Sequence, residues 1–237
     1  MIPDIDYWDT IQKNIEDVKN RIRAAAERAG RREEDITLVA VSKTIPAQKL
    51  YTIAQKKEMI FGENRVQELL EKYDIIKERC VWHFIGRLQT NKVKNIIDKV
   101  AMVHSLDRIE LATEIQKRAK ACNRIMDILV QVNISGEGTK AGIQPEELLS
   151  FLRKLALFPN LKVKGLMTIA PYAENPEDIR WVFRDLRNIS VDMSMENIDN
   201  ISMQYLSMGM SHDFEIAIEE GANIVRIGSS IFGERHY

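Results

Sequence analysis

Cysteine is nearly absent, with only Cys80 and Cys122 in 237 residues. Far apart in sequence, the two offer neither a zinc-ligand spacing nor a disulfide framework, and they suit a reducing compartment. Six prolines and eleven glycines are too few for a collagen-like or low-complexity chain, and 45% hydrophobic residues are too many for a disordered one. No charge predominates: 34 Lys and Arg stand against 35 Asp and Glu, a formal net charge of -1. That balance excludes bulk electrostatic binding of nucleic acid or an anionic membrane, though not a local patch. No apolar run approaches the roughly 18 residues of a membrane span. The opening residues, Met1 to Asp6, lack the basic and apolar regions of a signal peptide. A soluble, cytoplasmic protein is expected.

Short runs rich in Val and Ile recur at residues 36–43, 59–64, 82–86, 102–106, 127–133, 163–169, 205–209 and 223–229. Several are apolar on both parities, as in parallel strands covered on both faces. Amphipathic stretches fall between them. Pro46 opens one helix. Residues 65–79 carry Val66, Leu69, Leu70 and Tyr73 on one stripe. Residues 107–122, 145–158 and 176–191 read alike, and a last short helix opens at Ser211 or His212 and stops at Gly221. A long amphipathic helix over residues 7–29 precedes everything. Eight β-then-α units at this length predict an α/β fold of one domain, a (β/α)₈ TIM barrel over residues 36–233, with an extra N-terminal helix within residues 1–30. The competing open sheet needs a Gly-rich turn after its first strand, and Ser42-Lys43-Thr44-Ile45-Pro46 has no glycine.

A barrel carries its chemistry at the C-terminal ends of its strands. Lys43 ends the first strand in phase with Val39 and Val41. A lysine at an enclosed mouth has its pKa lowered and can form a Schiff base; a solvated lysine is the plainer alternative. Arg226 lies mid-strand among aliphatics, where a guanidinium must find an acceptor. Either an internal salt bridge, to Glu63 for instance, or a ligand held inside the barrel would satisfy it. After strands seven and eight come Gly209-Met210-Ser211 and Gly228-Ser229-Ser230. Glycine lets backbone approach an anion, and serine supplies hydroxyls, at the two strands where barrels often bind phosphate. His83 and His104 read as satisfied core histidines. Residues 87–94 concentrate positive charge on what reads as a solvated helix face, and Lys140 lies in a glycine-rich loop after strand five. No metal-ligand cluster stands out.

Six segments, Val39-Ala40-Val41-Ser42-Lys43, 61–68, 82–92, 165–168, 206–211 and 225–228, resemble the pyridoxal 5′-phosphate homeostasis proteins, in unbroken order from the first strand to the C-terminus. The resemblance implies the barrel of alanine racemase without its second domain. It implies pyridoxal 5′-phosphate as cofactor, held as a Schiff base on Lys43, with Arg226 facing the pyridine nitrogen and Asn64 beside the ring. Met210, Ser211, Gly228 and Ser229 fall where that family grips the phosphate. An arginine at the pyridine nitrogen favours an unprotonated ring, a poor electron sink. Racemases on this barrel are served by a tyrosine from a following domain, and residues 231–237 are too short to form one. The implied function is intracellular storage of the cofactor, with delivery to apo-enzymes and without efficient catalysis. Lys140, free to swing over the mouth, is read as assisting handover, and a barrel of this size needs no partner chain to bury its core, so a monomer is expected. A weakly active amino-acid racemase, or a cofactor-free enzyme acting on a phosphorylated metabolite, is the alternative.

Overall fold

The computed structural model describes residues 5–136 and 141–233. Its centre is a closed barrel of eight parallel strands in sequence order: β1 (Thr37–Val41), β2 (Ile60–Glu63), β3 (Val81–Phe84), β4 (Met102–Leu106), β5 (Met126–Gln131), β6 (Leu161–Met167), β7 (Ile201–Ser207) and β8 (Ile224–Ile227). Closure comes from β8 pairing with β1, which sets Val39 beside Arg226 and Ala40 beside Ile227. Period-2 alternation divides each strand between two cores. Val39, Met102, Leu129, Met167 and Ile224 fill the inside, with Ile60 and Tyr205 packed against them. Their neighbours Ala40, Phe61, Val103, Ile128, Leu166 and Val225 point outward into the larger core under the helices.

The helices are α1 (Ile5–Arg28), α2 (Ala47–Lys56), α3 (Val66–Ile76), α4 (Ile109–Ala121), α5 (Leu148–Leu155), α6 (Arg180–Met195), α7 (Phe214–Glu219) and α8 (Ser229–Phe232). Helix α1 buries Ile11, Ile15, Val18 and Ile22, a spacing of four, three and four residues that makes one stripe. Fully burying each such side chain is worth about 1.5–3 kcal/mol. The stripe's flanks join α7 and α8: Arg21 pairs with Glu215 at 3.0 Å, and Asn14 donates to the carbonyl of Ile231 at 2.8 Å. Gly30, at φ +66°, ends α1 as its chain turns back, with the Arg31 amide donating to the Ala26 carbonyl.

The expected barrel and N-terminal helix are both present, with local differences. Strand β1 stops at Val41, so Lys43 stands two residues beyond it in a turn. The link from β3 to β4 is a 3-10 helix, Thr90–Asn95, which buries Val93. Helix α7 begins at Phe214, because residues 211–213 form a turn first. Gly228 and Ser229 lead into the single-turn α8.

Candidate functional site

The turn bearing Lys43 is clamped on both sides. Ser42, fully buried, donates its hydroxyl to Oε1 of Glu63 at 2.6 Å, and its amide donates to the Gly62 carbonyl. Lys72 of α3 donates to the Ser42 carbonyl at 2.8 Å and to the same Glu63 oxygen at 2.6 Å. On the other side, the Thr44 amide donates to Oε2 of Glu68 at 2.8 Å. Thr44 sits at φ +69°, a left-handed conformation that costs a β-branched residue about 1–3 kcal/mol. The ion-pair cluster holds that backbone in place and fixes where the half-buried Lys43 departs from it.

Glu63 therefore faces α3, outside the barrel, and the salt bridge to Arg226 considered from sequence does not form. Arg226 is buried inside, donating from Nη1 to Oγ of Ser207 at 2.6 Å and from Nη2 to the Thr168 carbonyl at 2.9 Å. Among the described residues these are its hydrogen-bond partners, and no carboxylate touches it. Burial lowers its pKa to about 10, so it remains a cation at neutral pH.

A polar chain continues from Ser207. Its Oγ lies 2.9 Å from Nδ1 of His104, whose Nε2 lies 3.0 Å from Nδ1 of His83. Arginine can only donate, so Ser207 accepts from it. The one arrangement that leaves the buried hydroxyl proton with an acceptor among these groups runs Arg226 to Ser207 to His104 to His83. It puts the proton of each histidine on Nε2. Burial holds His83 down at about 4 and His104 well below the usual histidine range, so both rings stay neutral. The histidines are satisfied core residues, as expected, yet they also set the orientation of Arg226. Beyond its place in the family-like segment 206–211, the signal for Ser207 is its period-2 phase with Tyr205.

The loops after β7 and β8 meet through Ser211. Its Oγ accepts from the amides of Gly228 at 3.2 Å and Ser230 at 3.4 Å. Gly209 is at φ +91°, and a Cβ there would press on Ala217 at 2.7 Å. Met210 is partly exposed, with its amide donating to Asp213. Gly228 lies against Val41, where an added Cβ would be 3.3 Å away, so this loop pair adjoins the Lys43 turn. Across the mouth, Asn64 lines a cavity of about 220 Å³ with Ile85, Gly86, Gln131 and Asn133, and its buried Oδ1 has no partner among the described residues. Every expected site residue thus lies at the C-terminal end of the barrel. Lys140 falls outside the described residues.

The chain matches the family model for the alanine racemase N-terminal domain over residues 11–236. A pyridoxal phosphate homeostasis protein of Aquifex aeolicus is 52% identical over 221 residues, covering 93% of this chain and 96% of the relative. A solved structure of an unknown protein from Bifidobacterium adolescentis is 32% identical with a TM-score of 0.91, covering 98% of both chains. PipY of Synechococcus elongatus, solved with PLP bound, is 31% identical with a TM-score of 0.76, covering 84% of this chain and 93% of PipY.

Proposed function

The chain belongs to the pyridoxal phosphate homeostasis protein family, and from that premise we propose that it holds pyridoxal 5′-phosphate at the barrel mouth as an intracellular store. When bound, that group supplies an aldehyde able to condense with an amine, an electron-withdrawing pyridine ring and a phosphate dianion. The residues present fit it. Lys43 offers the amine from a clamped turn. Arg226 offers a buried cation one strand away, hydrogen-bonded to no carboxylate among the described residues, with Asp213 acting on it only through space. Asn64 flanks the ring. Met210, Ser211, Gly228 and Ser229 form the joined loops that take the phosphate, which backbone N–H groups and hydroxyls suit.

The observation that carries this reading is Arg226, a buried cation inside the barrel that touches no carboxylate among the described residues. A guanidinium facing the ring nitrogen keeps that nitrogen unprotonated, because arginine does not surrender its proton. The ring is then a poor sink for a carbanion, so binding without efficient turnover follows. The relatives' names agree, describing homeostasis and not a reaction. Among the described residues no helix is long and apolar enough to cross a membrane. Storage in the cytoplasm by a monomer, with delivery to apo-enzymes, completes the proposal.

Borohydride reduction of freshly purified protein, followed by peptide mapping, tests the site. A pyridoxyl adduct on Lys43 is expected; an adduct elsewhere, or none, overturns the assignment. For delivery, an apo-enzyme should regain activity faster with the loaded protein than with free pyridoxal phosphate, and an equal rate counts against it.

A further inference from the structure

The loops after β2, β3 and β4 enclose a second cavity of about 730 Å³ on the same end of the barrel, between α3 and the 3-10 helix Thr90–Asn95. Arg65, Arg87, Lys92 and Arg108 line it, and no Asp or Glu does. In a chain of net charge -1, that concentration is local. Arg108 is fixed by its hydrogen bonds to the Leu88 carbonyl at 2.8 Å and to Thr90 at 3.2 Å, with Asp107 alongside. Among the described residues, the ion-pair partner of Arg65 is Glu68, at 4.0 Å. Among the described residues, Arg87 and Lys92 have no ion-pair partner. With Arg108 paired to Asp107 and Arg65 to Glu68, Arg87 and Lys92 carry the unopposed charge, and low-dielectric walls focus their field on whatever enters.

The cavity is built, not merely lined. A Cβ on Gly86 would lie 2.2 Å from the Asn64 carbonyl oxygen, so the chain leaving β3 touches the chain leaving β2 backbone to backbone. Arg65 and Arg87, each one residue further on, therefore start side by side. Ser105 pins the Gly86 carbonyl, and Leu88 and Val93 are buried beneath the loop. Against the cations stands an apolar wall that includes Val66, Leu70, Phe84 and Leu88. Bare phosphate would leave most of this volume empty, whereas pockets for small-molecule ligands measure about 300–1,000 Å³.

We propose that this cavity binds a phosphorylated small molecule carrying a planar ring, with Arg87 and Lys92 taking the phosphate, Arg108 a fixed third cation, and the half-buried Val66 and Leu70 receiving the ring over the buried Phe84 and Leu88. The site is distinct from the Lys43 mouth and stands whether or not Lys43 holds pyridoxal phosphate. Asn64 and Arg87 line both cavities, so its ligand would sit one side chain from the mouth.

Calorimetric titration of the protein, previously saturated with pyridoxal phosphate, decides it. The probes are AMP, pyridoxine 5′-phosphate and inorganic phosphate. Saturable one-to-one binding of AMP or pyridoxine 5′-phosphate is expected, with inorganic phosphate competing more weakly; the tighter of the two organic probes identifies the ring. The double variant Arg87→Ala/Lys92→Ala, both positions being exposed, should melt like the wild type and bind about tenfold or more weakly. Lys92→Glu should weaken binding at least as much. Absence of binding at millimolar probe overturns the proposal. So does unchanged affinity in both variants, or inorganic phosphate binding as tightly as both organic probes.

Discussion

Lys72 places its ammonium 2.6 Å from Oε1 of Glu63, and both side chains are almost completely buried, at 5% and 0% exposed. Burial outweighs the ammonium and raises the Glu63 carboxyl above its ordinary range, while its second oxygen, Oε2, finds no partner among the described residues. A buried pair of this kind adds little net stability over an apolar pair of similar volume. Its effect is positional. It ties α3 and β2 to the Ser42 carbonyl, immediately before Lys43.

Removing one partner should therefore cost far more than replacing both. Lys72→Met leaves a buried carboxylate unpaired and is expected to lose about 3–5 kcal/mol. At roughly 2–4 °C per kcal/mol for a chain of this size, the melting temperature should fall by about 10 °C. Lys72→Met/Glu63→Leu should recover much of that loss but not the clamp on the turn. The double variant is then expected to react with pyridoxal phosphate more slowly than the wild type despite its recovered stability. A melt and a stopped-flow absorbance trace check the two halves separately.

The neutral histidine pair makes the fold acid-sensitive. An unfolded histidine titrates near 6.5, whereas burial holds folded His83 near 4 and His104 well below the usual histidine range. Between these values the unfolded chain binds more protons, so stability falls as pH drops from about 6.5 toward 4. The slope approaches ~1.4 kcal/mol per pH unit for each histidine, about 3 kcal/mol for His83 across the window. Glu63 and Asp213, whose carboxyls burial raises, act in the opposite sense. Comparison with His83→Gln isolates the histidine part: urea unfolding at pH 7, 6 and 5 should show a shallower pH dependence in the variant.

The barrel was legible because eight apolar runs alternate with amphipathic stretches; the face Arg226 takes was not, since among aliphatics mid-strand it left an internal salt bridge and a bound ligand both open. Lys43, Asn64 and the two loops were legible as strand ends and as family segments. Their partners were not. Ser207 and Lys72 act through contacts made 19 and 30 residues away in the chain, to Arg226 and Ser42, and nothing in a local pattern encodes such distances. Lys72 even interrupts the apolar stripe of α3, so it reads as a solvent-facing lysine. The 3-10 helix after β3 escaped for a related reason: Val93 and the pinned Leu88, not helical periodicity, set its course.

The two thiols should differ sharply. Cys80 is buried, and burial pushes its thiol up to about 12, whereas Cys122 is exposed. The thiolate is the reacting species. A disulfide reagent such as dithionitrobenzoate is expected to label one thiol per native chain quickly, with peptide mapping placing it at Cys122. The second thiol should react only in denaturant. Rapid labelling of both would mean that β3 and its flanking turn open readily.

Two glycines separate the effect of conformation from that of space. Gly136 is at φ +69° with nothing within 4 Å of an added Cβ, so Gly136→Ala meets only the left-handed backbone penalty, about 1 kcal/mol. Gly86→Ala would place a methyl 2.2 Å from the Asn64 carbonyl oxygen, inside any van der Waals contact and against backbone that cannot rotate away. The ends of β2 and β3 must then separate, which also breaks the Ser105 hydrogen bond to the Gly86 carbonyl. A loss of several kcal/mol is expected, in the range of overpacked cores with an added lost hydrogen bond. Because Asn64, Arg65 and Arg87 all start from that contact, any Gly86→Ala protein that still folds should bind both pyridoxal phosphate and AMP more weakly. Gly136→Ala should bind both as the wild type does. Thermal melts and titrations of the two variants side by side supply the check, and equal stability in the pair would show that the strand ends do not touch.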